Sequence, residues 1–208
     1  FVGMWAFAIW DQKKKKLFLS RDNFGEKPLY YTFENNAFYF GSEIKFIKSL
    51  SEIKFRLNKN KIYKYLSFGY KSINNDNNTF YKNVHLLENA TNITVDLNLK
   101  FIKKKYWRPK LKINNSIDAE TAASHTRFLV KKSLDFRMRS DVPIAFCLSG
   151  GIDSGFLYSA ASIKQDNIKS FSIIDSDKRY NESENINLLL NKNKAQNIKI
   201  NIKNKNKN

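Results

Sequence analysis

The chain of 208 residues has one cysteine, Cys147, and two histidines, His85 and His125. A single cysteine excludes an internal disulfide and suits a reducing compartment such as the cytoplasm. Neither histidine has a Cys, His or carboxylate partner at metal-ligand spacing, so no metal site built from protein ligands is expected. No apolar run approaches the roughly 20 residues of a membrane helix. The first residues carry no basic-then-apolar leader, so no signal peptide is expected. Acidic residues are scarce: 19 Asp and Glu face 37 Lys and Arg, for a net charge of +18. The lysines are scattered, and the longest basic run, Lys13 to Lys16, falls where a turn is expected. Charge spread in this way implies solubility and non-specific attraction, not a specific nucleic-acid partner.

Aromatic and aliphatic residues are plentiful. Hydrophobic residues make up 42% of the chain, with 17 Phe. Residues 1–50 read as a β-meander. Met4–Asp11, Leu17–Asp22, PLYYTF and AFYFGS are four strands, with Asn35-Asn36 as a tight turn. They predict one antiparallel layer of a larger sandwich. Short helices are expected over Ser42–Leu50 and Asn58–Phe68, followed by a polar loop over Ser72–Thr79. ATNITVDL and LKFIKKKYW continue the strands. Pro109 lies in the best candidate linker, Arg108 to Ser116.

From Ile117 the period changes. A long helix is expected, its N-terminus favoured by Asp118 and Glu120 and its C-terminus by Arg137 and Arg139. After Pro143, the apolar run Ile144–Leu148 reads as a buried parallel strand. A glycine turn, a helix and the strand Ile168–Ile174 follow. Together they make a βαβ unit on a parallel sheet. Residues 191–208 contain 7 Asn and 6 Lys. That composition predicts a low-complexity tail with no core. The α/β part is expected to be incomplete after two strands.

The chemistry-bearing motif is SGGIDS, Ser149–Ser154, between the apolar strand and the helix. Gly150 and Gly151 allow close approach of backbone to an anion. Successive N–H groups in the turn form an anion nest, and the helix N-terminus points at the same spot. Ser149 and Ser154 add hydroxyls. Asp153 is expected to cap the helix and to hold a Mg2+ that arrives with phosphates. The Lys-Ser/Thr pair of a Walker A loop is missing.

SGGIDS after an apolar strand resembles the pyrophosphate loop of ATP pyrophosphatases. The flanks RMRSDVP (Arg137–Pro143), Tyr106-Trp107, SFSI (Ser170–Ile173) and DKRYNESE (Asp177–Glu184) resemble asparagine synthetases. The N-terminal blocks agree. GMWAFAIWD (Gly3–Asp11), RDNFGEKPLYY (Arg21–Tyr31), GSEIK (Gly41–Lys45) and FGY (Phe68–Tyr70) look like landmarks of class II glutamine amidotransferase domains fused to such enzymes. The resemblance covers about residues 1–190.

It implies three stretches. Residues 1–108 would be the C-terminal part of an amidotransferase domain, the antiparallel part of an N-terminal-nucleophile α+β sandwich. Residues 109–190 would start an α/β ATP pyrophosphatase fold, and 191–208 would be the tail. The implied reaction joins aspartate, glutamine and ATP into asparagine, glutamate, AMP and pyrophosphate, with ATP and Mg2+ as ligands. The implied ATP-binding residues are Leu148, Ser149, Gly150, Gly151, Asp153, Ser154 and Ile173. Leu148 and Ile173 would flank the nucleotide at strand ends. The family's nucleophile is an N-terminal cysteine that is its own base. Residue 1 here is Phe and Cys147 reads as a buried small hydrophobe, so no catalytic residue is assigned in this chain. A chain inactive alone, pairing with a complementary chain or a second copy, is the expectation. Two departures stand out: Val2 where the family commonly has Asp, and Gly155 where it commonly has a small hydroxyl residue. Arg21, Asp22, Gly25 and Pro28 are expected to shape a loop. The alternatives are an acceptor other than aspartate, or a tRNA-modifying ATP pyrophosphatase.

Overall fold

The computed structural model describes residues 1–70, 76–165, 167–193 and 196–202. The sequence expectations over 72–75 and 203–208 lie outside the described residues. The chain divides into two compact units, Phe1–Ile113 and Asn114–Asn208. The division falls within the Arg108–Ser116 stretch.

Unit 1 begins with two hairpins. Strands β1 (Ala6–Asp11) and β2 (Lys16–Arg21) pair antiparallel, as do β3 (Tyr30–Glu34) and β4 (Ala37–Gly41). Asn35 and Asn36 both have φ of 53°, the left-handed conformation of a two-residue hairpin turn. The hairpins do not form one meander, and this corrects the sequence reading. One sheet has the order β1-β2-β6-β7, the other β4-β3-β5. The added strands are β5 (His85–Leu86), β6 (Thr91–Asp96) and β7 (Phe101–Lys105). The reason is burial. Leu19 on β2 and Ile93 on β6 pair in register, and both are fully buried with Leu29, Tyr31, Leu87 and Val95. These side chains fill the space between two sheets, which a single meander would leave open. Helices α1 (Ile44–Leu50) and α2 (Lys59–Phe68) follow β4. Asn58 caps α2 by accepting from the Lys61 amide.

Unit 2 starts with α3 (Ala119–Arg137), capped by Asp118, whose Oδ1 accepts from Thr121 N at 2.7 Å. Next come β8 (Ala145–Cys147), α4 (Ile152–Ser162), β9 (Lys169–Asp175), α5 (Ser183–Asn193) and β10 (Asn197–Ile202). The three strands make one parallel sheet in the order β10-β9-β8. Strand β10 corrects the expectation of a tail from 191 and of a sheet ending at two strands. Its ladder to β9 satisfies the backbone; Asn197 donates to the hydroxyls of Ser170 and Ser172, and Lys199 and Asn201 stay exposed.

Helices α4 and α5 pack together, and α3 packs on α4. Leu148, Tyr158, Ala161 and Ile168 form the core there, with Phe146 packed against them. The other sheet face carries the register row Cys147, Phe171, Ile198 and the row Ile173, Ile200. Ile173, Ile198, Ile200 and Cys147 are exposed. This corrects the reading of Ile144–Leu148 as a strand buried on both faces and of Cys147 as a buried hydrophobe. Only one face of β8 is covered among the described residues.

Candidate functional site

SGGIDS lies where the sequence puts it, between the C-terminal end of β8 and α4. In open parallel sheets this is the end at which ligands bind. Leu148 N donates to Phe171 O at 2.8 Å, which ties the start of the loop to β9. Ser154 Oγ donates to Ser149 O at 2.9 Å and lies 3.0 Å from Ser149 Oγ. The two serines thus close the turn on itself. The first-turn N–H groups of α4 lie at a helix start, where such groups have no intrahelical acceptor. That end also carries the positive end of the helix dipole.

Three details differ from the sequence reading. Positive-φ glycines in the described chain are Gly3, Gly25 and Gly69 only. Gly150 and Gly151 therefore serve by lacking side chains, not by turning left-handed. Asp153 does not cap α4: the N-cap is Gly151, with no side-chain cap bond. Helix α4 starts at Ile152, so Asp153 sits inside the first turn and acts through the dipole. Finally, the nest is not empty of partners. Gly150 N donates to Glu182 Oε2 at 3.0 Å, and Gly151 N to Ser149 Oγ at 3.4 Å.

The two glycines have different neighbours. A Cβ on Gly150 would lie 2.7 Å from Glu182 Cβ and 3.0 Å from Asn185 Cβ. On Gly151 it would meet only Ser149 Oγ, at 3.3 Å. Gly150 is needed for packing against the start of α5, and Gly151 leaves the loop open to a ligand. A cleft of about 380 Å³ runs beside Gly150, Gly151, Ile152, Phe156, Asn185 and Leu189.

Leu148 and Ile173 do not come together as side chains. Leu148 is buried in the core under the helices, and Ile173 is exposed on the open face. Glu182 and Asn185 are the neighbours that sequence reasoning missed. The signal for Glu182 was its place in the DKRYNESE block, which gave a resemblance and no contact, and Asn185 follows directly after that block.

In unit 1, RDNFGEKP is a braced loop, as expected. Arg21 donates to the carbonyls of Lys27, Gly25 and Leu87. Asp22 accepts from the amides of Phe24, Glu26 and Lys27. Burial pushes the Asp22 carboxyl up, but the Lys27, Glu26 and Phe24 amides outweigh it and hold it below the usual carboxylate range. All of these bonds of the two side chains go to the backbone, which gives the loop a structural role. His85 is exposed, with its ring centroid 5.5 Å from that of Tyr31. No group of three or more His, Cys, Asp or Glu able to hold a metal occurs among the described residues. Nor is any described helix long and apolar enough to cross a membrane.

Comparison with known proteins gives two family matches. Residues 1–107 match a glutamine amidotransferase domain, and residues 125–206 match asparagine synthase. A protein of Methanocaldococcus jannaschii whose name includes the words asparagine synthetase, glutamine-hydrolysing, is 38% identical over 156 residues. That match covers 74% of this chain and 30% of the relative. A glutamine-hydrolysing asparagine synthetase of Bacillus subtilis is 32% identical over 171 residues, covering 82% of this chain and 26% of the relative. An amidase of Penicillium rubens is 31% identical over 155 residues, covering 73% and 22%. The chain spans less than a third of the length of each of these relatives.

Proposed function

Because the chain belongs to the glutamine-hydrolysing asparagine synthetase family, we propose that its second unit binds the phosphates of ATP at Ser149–Ser154. The observation that carries this reading is the loop itself. It leaves the C-terminal end of a parallel strand, enters a helix N-terminus, and has open space at Gly151. Leu148 holds the loop to β9, Ser149 and Ser154 shape it, and Asp153 faces solvent in the first turn of α4. Ile173 offers an apolar surface beside the nucleotide. With no cluster of protein ligands among the described residues, a Mg2+ would enter with the phosphates, Asp153 being the chain's own ligand. It would offset phosphate charge.

For the whole protein we propose the parent reaction of the family. Glutamine supplies ammonia, ATP activates the aspartate carboxylate, and asparagine, glutamate, AMP and pyrophosphate result. The lone cysteine supports a reducing compartment, the cytoplasm. A complementary chain or a second copy is the proposed partner. Similarity to fungal proteins named amidases supports a second reading, in which the acceptor is not aspartate. The stretch matching the amidotransferase domain, 1–107, contains no cysteine. We therefore assign no nucleophile for glutamine hydrolysis to this chain. Incubated alone with glutamine, it should release no glutamate.

The loop is tested by titrating the protein with Mg-ATP and with Mg-pyrophosphate. Gly151→Val fills the open space and Asp153→Ala removes the carboxylate, and both should weaken binding. Binding equal to the parent in both variants would put the nucleotide elsewhere.

A further inference from the structure

The carboxylate of Glu182 sits on the loop in the place of a ligand. Its Oε2 accepts from Gly150 N at 3.0 Å, across 32 residues of sequence. The contact follows from how α5 docks. A Gly150 Cβ would be 2.7 Å from Glu182 Cβ and 3.1 Å from Glu182 O. Only a glycine lets the start of α5 come this close, and the closeness aims the acid at the loop. At the start of α5 the Ser183 amide donates to Asn181 Oδ1 at 3.0 Å. Glu182 O meanwhile accepts from Ile186 N at 3.1 Å, which anchors the residue's backbone as the side chain reaches across.

Its chemistry matches that of a phosphate oxygen. Both are anionic acceptors for a backbone N–H beside a helix N-terminus. Leu148–Ser154 contains no lysine or arginine to neutralise a second anion. Asp153 adds another negative charge in the first turn of α4. A polyphosphate reaching the Gly150 amide must therefore move the Glu182 carboxylate aside and then sit near it. Glu182 is exposed, so water can take it up once released.

We propose that Glu182 sets the affinity of this loop, as an internal anion that the phosphates of ATP displace from Gly150. This rests on the phosphate-loop reading above. In the free protein Glu182 satisfies the Gly150 amide and keeps the turn in shape. On binding, the phosphate takes that amide and the carboxylate swings out. A metal bound to the phosphates eases the step, because it offsets the repulsion between two anions.

The test uses the full chain and pyrophosphate as the probe, with and without Mg2+, followed by calorimetry. Glu182→Gln keeps an acceptor oxygen and removes the charge. It should bind metal-free pyrophosphate about three- to ten-fold tighter than the parent, and the gain should shrink in high salt. Glu182→Ala, which cannot reach Gly150, should move in the same direction. Thermal melts of both variants confirm that they fold. A parent that binds, with both variants equal or weaker, would overturn the proposal and make Glu182 a prop for the loop. Absence of binding in parent and variants alike would overturn the phosphate-loop reading and this proposal with it.

Discussion

Gly150 and Glu182 approach so closely that a Cβ on the glycine would stand 2.7 Å from the Cβ of the acid. Real Cβ atoms do not come that near, so Gly150→Ala must push α5 off the loop. The expected result is a loss of about 1–3 kcal/mol, in line with overpacking elsewhere. Chemical denaturation of the variant checks it.

Gly155 allows the opposite change. A Cβ there would meet Leu189 Cδ2 at 3.6 Å, an ordinary contact, in the first turns of α4. Gly155→Ala should stabilise the protein by about 0.5–1 kcal/mol, the helix-propensity difference. A higher midpoint in urea is the measurement.

Gly25 has φ of +69°, and a Cβ would lie 3.0 Å from the Arg21 guanidinium. Gly25→Ala combines a left-handed non-glycine with a clash against a cation that braces three carbonyls. A loss of about 1–3 kcal/mol is expected, again read by denaturation.

Acid should destabilise the protein in two stages. His85 is held below its usual range by partial desolvation and then by Lys103. Its neutral form is favoured in the folded state, so stability falls as pH drops below about 6.5. Asp22 is depressed by the balance of burial and amides already described. Asp76 is depressed chiefly by the hydrogen bond from Lys61. Their contributions are present above the unfolded carboxylate value of about 3.9 and vanish as pH falls through the lower folded values. Melting temperature against pH should show a shallow decline and then a steep one. Asp22→Asn, which leaves amides without a charged acceptor, should cost about 2–4 kcal/mol at neutral pH and flatten the steep part.

Cys147 is exposed, so its thiol should react with an aromatic disulfide reagent in the native protein at a rate close to that in denaturant. Protection by orders of magnitude would mean that the open face of β8–β10 is covered in solution.

Much of this was legible in the sequence. Asn35-Asn36 gave the hairpin, Asp118 the start of α3, and SGGIDS its strand-to-helix context. Three things were not legible. Alternation in MWAFAIWD and PLYYTF shows which residues face inward, but not that the two hairpins face each other across a core. Strand β10 was hidden by composition. Yet Asn197-Ile198-Lys199-Ile200-Asn201-Ile202 alternates at the strand period, and that pattern, weighed above the Asn and Lys count, would have found it. The contact from Glu182 to Gly150 depends on the docking of two helices, which no local pattern encodes.

The path of the chain in unit 1 has a further consequence for how that unit melts. Strand β2 ends at Arg21, and its next neighbour in the sheet, β6, begins only at Thr91. Everything between, including the whole second sheet, is an excursion whose two ends are clamped side by side. The first sheet cannot close until that excursion has been gathered in, and the excursion loses its anchor when the sheet opens. Loop closure of this length is slow and gains little until both ends are seated. Residues 1–107 should therefore gain and lose structure in one step, with hydrogen exchange in β3 and β6 governed by the same opening.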